Sequence, residues 1–251
     1  MVRMKFSRLV SASLKALEAL PGTNARIFGI WYRDRRELVP VDNRPLAVRQ
    51  ADDGDIQIYT IGANATHVHA IGPGKADFLL WGAIQTGDWL SQDQDSWAYA
   101  VEMGYQLPNV WSAPWLRAGL NQGSGDSDPT DGDHSTFFQI LPTARAYAMF
   151  PFYNMMNNRD LFAQLILKPH AMVSMQSTLH WLRLSDRDDF LYGGGGATSN
   201  SVFGFTGTAS GDRTGIGTMF DTSLTVNPVK WLALNVYYAH VFGSGMTGQT
   251  F

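Results

Sequence analysis

Hydrophobic and polar residues alternate strictly along residues 97–107. Large apolar side chains stand at every second position, with Ala, Glu, Gly and Gln between them: Trp97, Tyr99, Val101, Met103, Tyr105 and Leu107. Such a period of two predicts a β-strand with one apolar face. Eleven residues match the roughly 9 to 11 that a tilted strand needs to cross a bilayer. A strand of a soluble sandwich shows the same alternation, so this segment alone leaves both fold classes open.

Two further segments, residues 216–226 and 231–243, repeat the alternation. The face opposite the large apolar residues carries mostly small and polar side chains, chiefly Ala, Asn, Ser and Thr. The outward face of a sandwich usually carries Lys and Glu, whereas small polar side chains suit a narrow, water-filled lumen. The pattern therefore favours an all-β fold, an antiparallel transmembrane β-barrel.

Nine strands are predicted in all. They fall at residues 26–34, 55–70, 76–88, 96–108, 114–122, 158–168, 171–184, 214–227 and 231–243. Turn-forming residues join some neighbours closely, at 72–75, 108–113, 168–171 and 227–230, while longer connections span 35–54, 89–95, 123–157 and 185–213. This alternation of short and long connections is typical of bacterial barrels, with the short turns in the periplasm.

Residues 137–149 are also apolar enough to form a strand. Counting them as one would put the short turn at 168–171 on the outside and a 29-residue loop in the periplasm. We therefore assign 123–157 to one long outer loop, and its many apolar residues predict that it is packed, folded over or into the pore.

Composition narrows the function classes. Charged residues make up 16% of the 251-residue chain, against a usual value near 25%, and the net charge of -3 excludes a globally basic nucleic-acid binder. The absence of cysteine excludes disulfides, thiolate metal sites and a catalytic cysteine. No stretch approaches 18 consecutive apolar residues, so no membrane-spanning helix is expected.

The N-terminal segment, residues 1–23, is poorly defined. Lys15 and Glu18 interrupt its mildly apolar run, and no convincing cleavage site follows. We do not assign a signal peptide. An outer-membrane protein must be secreted, so either the chain lacks its true N-terminus or the outer-membrane interpretation is wrong.

Four stretches of the chain resemble the alginate export family of outer-membrane porins. The main ones are RAGLNQGSGDSDPTDGDHSTFFQILPTARAYAMFPFYNMMN at 117–157 and LHWLRLSDRDDFLYGGGGA at 179–197, supported by IFGIWYRDRR at 27–36 and VDNRP at 41–45. The resemblance extends from about residue 24 to the end of the chain, which makes 24–251 one partial barrel domain.

The resemblance implies a monomeric barrel of eighteen strands in the bacterial outer membrane, through which a secreted anionic polysaccharide diffuses along an arginine-rich lumen gated by loops. Nine strands would be half of such a barrel, with a final strand missing after GSGMTGQT at 243–250. We expect that half a barrel does not close alone, because unpaired strand edges in lipid are costly. The expected partners are the anionic polysaccharide, outer-membrane lipid and periplasmic export machinery, with no nucleic acid.

Arginines are the first candidates for contact with an anionic polymer. Arg outnumbers Lys fourteen to five, and its guanidinium binds carboxylates in two-pronged geometry. Arg117 and Asn121 alternate opposite Leu116 and Leu120, which predicts that both face the lumen. Arg33 alternates with Phe28, Ile30 and Tyr32 and is predicted to face the lumen too. Each wall arginine could instead be structural, paired with a nearby acid.

Further candidates lie on loops and the rim. Arg145 is on the long loop, and Arg183 and Arg187 stand where strand 171–184 leaves the membrane. Arg183 is in phase with the apolar Leu179 and Trp181, so either a bulge resets the register or the membrane ends before it. With Arg183 and Arg187, three acids are candidates for a gate of alternating charge, or for a plain solvated surface: Asp186, Asp188 and Asp189.

An acidic run in the long loop is a candidate structural Ca²⁺ site, with a hydrated acidic turn as the alternative. Its members are Asp126, Asp128, Asp131 and Asp133. Oxygen ligands suit Ca²⁺, but the spacing differs from the twelve-residue helix-flanked loop and no Glu closes it. No other cofactor is expected.

Enzymatic chemistry has little support in the sequence. His67 and His69 share a strand face but lack a third ligand nearby, and no nucleophile elbow marks a serine hydrolase. We therefore expect a non-enzyme. A general uptake porin for small solutes or sugars remains the alternative to a polysaccharide exporter, followed by an all-β surface enzyme or adhesin.

Overall fold

The fold, obtained as a computed structural model, is described for residues 8–16, 21–140, 154–196 and 202–243. It is almost entirely β-structure. The strands are β1 (Arg8–Ala16), β2 (Thr23–Asp34), β3 (Ile56–Ile71), β4 (Gly74–Trp89), β5 (Gln92–Gln106), β6 (Trp115–Gly123), β7 (Asp133–His134), β8 (Asn158–His170), β9 (Val173–Leu184), β10 (Phe190–Gly194), β11 (Phe205–Ala209), β12 (Gly215–Val229) and β13 (Leu232–Gly243). The one described helix is α1 (Leu46–Ala51).

Ten long strands form one antiparallel sheet in which neighbours in the chain pair with each other. The order is β1-β2-β3-β4-β5-β6-β8-β9-β12-β13, and the short β7 pairs in parallel with β5. A separate hairpin joins β10 to β11. Over the described residues the sheet is open, with β1 and β13 as its edges. No helix among the described residues is long and apolar enough to cross a membrane.

All nine predicted strands are present. The prediction needs two corrections, one to a connection and one to the N-terminal segment. Residues 89–95 do not form a long connection, because β4 and β5 continue through them and meet in a tight turn at Leu90 and Ser91. Polar residues on both faces, such as Gln92 and Asp93, concealed this end of β5. The N-terminal segment also holds β1, which pairs with β2 over its whole length. Serines and Lys15 weaken the apolar alternation there.

The burial of the two faces of the sheet is the reverse of that in a soluble protein, because polar residues are buried and large apolar residues are exposed. On β5 the polar or small residues Gln94, Ser96 and Ala98 are at most 3% exposed, whereas Trp97 and Met103 are 42% and 56% exposed. We call the first face inner and the second outer. The other long strands continue the outer apolar face with exposed large side chains, among them Ile61, Leu80, Ile84, Leu116, Leu161, Val236 and Tyr238.

Loops cover the inner face at the end of the sheet where the long connections lie. Ten buried apolar residues from strands and loops form one cluster, which we call the loop core: Tyr32, Ile56, Ile58, Trp89, Phe138, Ile140, Met156, Tyr192, Phe203 and Phe205. The long loop is thus packed where its apolar residues lie, at Phe137, Phe138, Ile140 and Met156, as its apolar content predicts, whereas residues 127–133 are mostly exposed. Residues 141–153 lie outside the described residues.

Candidate functional site

Arg117 lies on the inner face, as its alternation predicts, within a cluster of charged side chains. Its Nη2 donates to Glu102 Oε2 at 2.5 Å, and its Nε lies 3.6 Å from Asp77 Oδ1. The guanidinium carbon stands 5.0 Å from the centre of the Trp115 ring, a cation-π distance. Arg117 is therefore a wall arginine with two acidic partners. Its part in conduction remains a prediction.

A glycine allows this cluster to form across three strands. In the register, Gly104 on β5 stands between Asp77 on β4 and Arg117 on β6. The Trp115 indole donates from Nε1 to Asp77 Oδ2 at 2.6 Å, and a Cβ at Gly104 would overlap both groups. The missing side chain leaves the space in which β4 and β6 are linked over β5.

A second inner-face cluster surrounds His180 and was missed from the sequence. His180 Nδ1 lies 2.8 Å from Asp160 Oδ2, and its Nε2 lies 3.7 Å from Asp221 Oδ2. Tyr237 donates from its hydroxyl to the same Asp221 oxygen at 3.2 Å. Each of these residues occupies a polar position of an alternating strand, so the signal was present in the pattern. What the pattern did not show is that β8, β9, β12 and β13 bring them together.

Asn121 also faces inward, as predicted. It is 3% exposed and pairs in register with Ala100 and Asp160, which places it between the two clusters.

The predicted facing of Arg33 is wrong. Tyr32, its neighbour on β2, is buried in the loop core, so Arg33 points to the outer face. There it lies 3.5 Å from Asp55, which also pairs with Arg35 at 2.9 Å. The prediction assumed that apolar residues point outward, but loops packed on the inner face reverse that rule for this part of β2.

Arg183 also lies on the outer face. The pairing of β8 with β9 is regular from residue 175 to residue 184, so no bulge resets the register before Arg183. Arg183 therefore follows Leu179 and Trp181 outward. Arg187 is an exposed loop residue, 3.3 Å from Asp212 and 3.8 Å from Asp188. Arg145 lies outside the described residues.

The three candidate gate acids differ in their surroundings. Asp188 is exposed, and Asp186 is partly buried and accepts a hydrogen bond from the Asp188 amide at 2.8 Å. Asp189 is buried and accepts from Thr136 Oγ1 and the Tyr192 hydroxyl, both at 2.6 Å. Burial raises the pKa of Asp189 to about 6, against these hydrogen bonds. A surface role is therefore wrong for Asp189, which ties two loops together.

The candidate Ca²⁺ ligands do not converge. Asp128, Asp131 and Asp133 are exposed, and the carboxylates of Asp128 and Asp131 accept from amides of their own turn, those of Thr130 and Asp133. Within the described residues, no three Asp, Glu, His or Cys side chains are grouped as metal ligands. This geometry fits the alternative, a hydrogen-bonded acidic turn.

Asp126 differs from the rest of the acidic run because it is buried. It is 2% exposed, its amide donates to Asp189 at 3.1 Å, and its carbonyl accepts from Asn43 at 3.0 Å. Burial raises its pKa to about 7, and the nearby Asp189, Asp131 and Asp42 add to the rise. Asp126 therefore links three of the long connections: its own, the one that contains Asn43 and the one that contains Asp189.

His134 is a buried polar residue that packs against the loop core. Its ring stacks on Trp89 with centroids 4.1 Å apart, and its Nδ1 lies 2.7 Å from Gln94 Oε1. Burial lowers its pKa to about 3, so the ring is neutral at ordinary pH. Trp89 in turn donates to Asp42, which pairs with Arg44 at 2.9 Å.

The other histidine pair, His67 and His69, shares a face of β3 as predicted. The face is the outer one, and the rings stack 6.0 Å apart, with Thr23 Oγ1 2.8 Å from His67 Nδ1.

Comparison with known proteins gives one family. A family model described as alginate export matches residues 22–248, which is most of the chain. No curated protein matches the chain.

Proposed function

The chain belongs to the alginate export family, and from that premise we propose that it is part of an outer-membrane porin that passes a secreted anionic polysaccharide through a loop-narrowed lumen. The polymer enters from the periplasm, where export machinery delivers it. The protein carries out no chemistry of its own in this proposal.

The observation that carries the proposal is that the apolar face of the sheet is exposed and the polar face is buried, the reverse of the arrangement in a soluble protein. Large apolar side chains such as Ile84 and Leu116, 62% and 63% exposed, line the outer face, while Gln, Ser and Asp are buried on the inner one. Such a sheet would be insoluble as a free sandwich but suits contact with lipid outside and water inside. A closed barrel with further strands next to β1 and β13 would satisfy both sheet edges.

Arg117 is the wall arginine that supports contact with the polymer. It is 18% exposed in its side chain and held in place by Glu102 and Trp115. A guanidinium fixed in this way can exchange one acidic partner for a uronate carboxylate without losing its position. Arg145 on the long loop is the second candidate within this proposal.

The loop core supports a narrowed lumen. Phe138 and Ile140 of the long loop pack on Tyr32 and Trp89 of the strands, and Tyr192 of the β10–β11 hairpin packs beside them. Loops held by this much apolar contact act as a fixed constriction on this side of the lumen, so gating falls to segments outside the loop core.

A general uptake porin is the second candidate, and the compensated charge on Arg117 favours it. Glu102 and Asp77 set two negative charges against the one positive charge of Arg117, so this part of the wall carries a net negative charge and repels free anions. Such a wall suits neutral sugars better than a polyanion. Passive pores do not encode the direction of flux, so the two candidates differ in substrate rather than in design.

Single-channel conductance tests the proposal. The full-length protein is reconstituted in planar bilayers and measured with and without oligouronate, as wild type, Arg117→Gln and the outer-face variant Arg33→Gln. We expect oligouronate to block the current, Arg117→Gln to relieve the block severalfold, and Arg33→Gln to leave it unchanged. Current that neutral oligosaccharides block equally well would favour the uptake porin, and folded protein without current would refute both.

A further inference from the structure

Two arginines stand opposite each other on the outer face, at the end of the sheet that carries the long connections. Arg159 on β8 and Arg183 on β9 are register partners, and both are exposed. Directly opposed side chains in an antiparallel pair have Cβ atoms about 5 Å apart, and like charges at that spacing destabilise the sheet. A ligand that carries negative charge would remove this repulsion.

Among the residues that the structure describes, no carboxylate pairs with either arginine. The residues beside them in the register are Gln122 on β6 and Gly215 on β12. Over the described parts of the chain, neither guanidinium makes an ion pair or hydrogen bond. Arg33, an outer-face arginine at the same end of the sheet, has Asp55 as its partner. The pair Arg159 and Arg183 is therefore arranged differently from its neighbour.

An apolar groove lies beside the two arginines. Leu161 and Trp181, the next outward residues toward the middle of the sheet, are 52% and 40% exposed, and Phe242 is 59% exposed. These side chains and both arginines line a groove of about 680 Å³, which is widened by Gly215 and Gly217 where a bulge interrupts β12. The groove continues into the apolar outer face.

We propose that Arg159 and Arg183 bind the phosphate of an anionic lipid headgroup, and that an acyl chain of the same lipid lies along Leu161, Trp181 and Phe242. The inference rests on the proposed function, because it needs the outer face to contact lipid. Arginine binds phosphate oxygens in two-pronged geometry, and two guanidiniums match the charge of a phosphate monoester. Basic groups at the boundary of a lipid-facing surface recognise headgroups in the same way.

A lipid accounts for the site better than a free anion does. Free phosphate would satisfy the two guanidiniums but would leave the apolar floor of the groove exposed to water. The exported polymer would reach the inner face, whereas this site is on the other side of the sheet. Two positive charges next to an apolar groove match a ligand with an anionic head and an apolar tail.

The experiment uses full-length protein in dodecyl maltoside micelles, titrated with dipalmitoyl phosphatidic acid and followed by native mass spectrometry. Dipalmitoyl phosphatidylcholine, whose headgroup is not a net anion, is the comparison lipid. We expect phosphatidic acid to bind more tightly, and the double variant Arg159→Gln/Arg183→Gln to weaken it at least tenfold. Arg33→Gln removes an outer-face arginine that has its own acid and should change the affinity less than twofold.

Three results would overturn the inference. They are equal binding of the two lipids, equal losses in the double variant and in Arg33→Gln, and complete displacement of the lipid by an equal concentration of inorganic phosphate. If the double variant does not fold, each single variant should still weaken binding about threefold, and no weakening in either would count against the site. Conductance of the same preparations separates the two proposals, because lipid binding without current would refute the porin and not this site.

Discussion

The buried carboxyl groups of the outer loops should make the packing of those loops weaken as pH rises. Burial raises the pKa of Asp126 to about 7 and that of Asp189 to about 6, from 3.8 for an exposed Asp. A carboxyl group whose pKa is higher in the folded state contributes stability that is complete below the unfolded value and is lost as pH rises to the folded value. The window for these two groups therefore runs from about pH 4 to pH 7.

The magnitude follows from the number of pH units crossed, at about 1.4 kcal/mol each. From pH 5 to pH 8, ionisation of Asp126 and Asp189 costs the packed loops about 4 kcal/mol together. His134 acts in the opposite direction, because its lowered pKa of about 3 makes the packed state lose about 2 kcal/mol when pH falls from 6.5 to 5. The loops should thus be about 2 kcal/mol more stable at pH 5 than at pH 8.

Hydrogen exchange measured by mass spectrometry checks this sign and size. Protection of peptides from residues 124–140 and 186–195 is compared at pH 5 and pH 8 after correction for intrinsic exchange rates. Asp126→Asn removes the larger acidic contribution, and the remaining effects of Asp189 and His134 nearly cancel, so the difference should fall below about 1 kcal/mol. Asp188→Asn changes an exposed acid of the same loops and should leave the difference intact. Protection that rises with pH in the wild type would refute the reasoning.

Three substitutions test other parts of the structure. Phe138→Ala opens a cavity in the loop core and should weaken loop packing by about 3 to 5 kcal/mol, measured by hydrogen exchange of 124–140; exchange equal to wild type would contradict that packing. Arg44→Gln leaves Asp42 buried without its charged partner and should destabilise the loops by about 3 to 5 kcal/mol, measured by thermal unfolding; an unchanged midpoint would contradict it. Gly104→Val should displace the Asp77 carboxylate and change tryptophan fluorescence, whereas a wild-type spectrum would show that the space is not needed.

Sequence alternation located the strands because the two faces of the sheet impose opposite requirements on successive residues. It assigned Arg117 to the inner face correctly, since β6 has polar inward positions and apolar outward ones, and the role of Arg117 in conduction stays a prediction. It failed for Arg33, where Phe28, Ile30 and Tyr32 are apolar and yet face inward. Alternation tells which residues share a face. It does not tell which face is covered by loops, such as those that contain Phe138 and Phe203.

The candidate site was predictable only in part for a related reason. Charged residues on one strand can be read from the sequence, but their partners lie on neighbouring strands, and the register decides which meet. Asp77 and Arg117 are forty positions apart, and only the register places Gly104 between them. The burial of Asp189 was likewise invisible, because its neighbours Asp186 and Asp188 are partly or fully exposed.

The two inner-face clusters share one design, a basic group held between two carboxylates. Arg117 stands between Glu102 and Asp77, and His180 stands between Asp160 and Asp221. In the proposed pore, a solute must enter and leave each site readily, and an arginine without an acidic partner would hold a uronate too long. Carboxylate partners lower the affinity of the basic side chain for a uronate while they keep its hydrogen-bond donors in fixed positions. If this reasoning holds, Glu102→Gln should lengthen oligouronate block in the conductance assay, whereas an unchanged or shortened block would show that the pairing serves the wall alone.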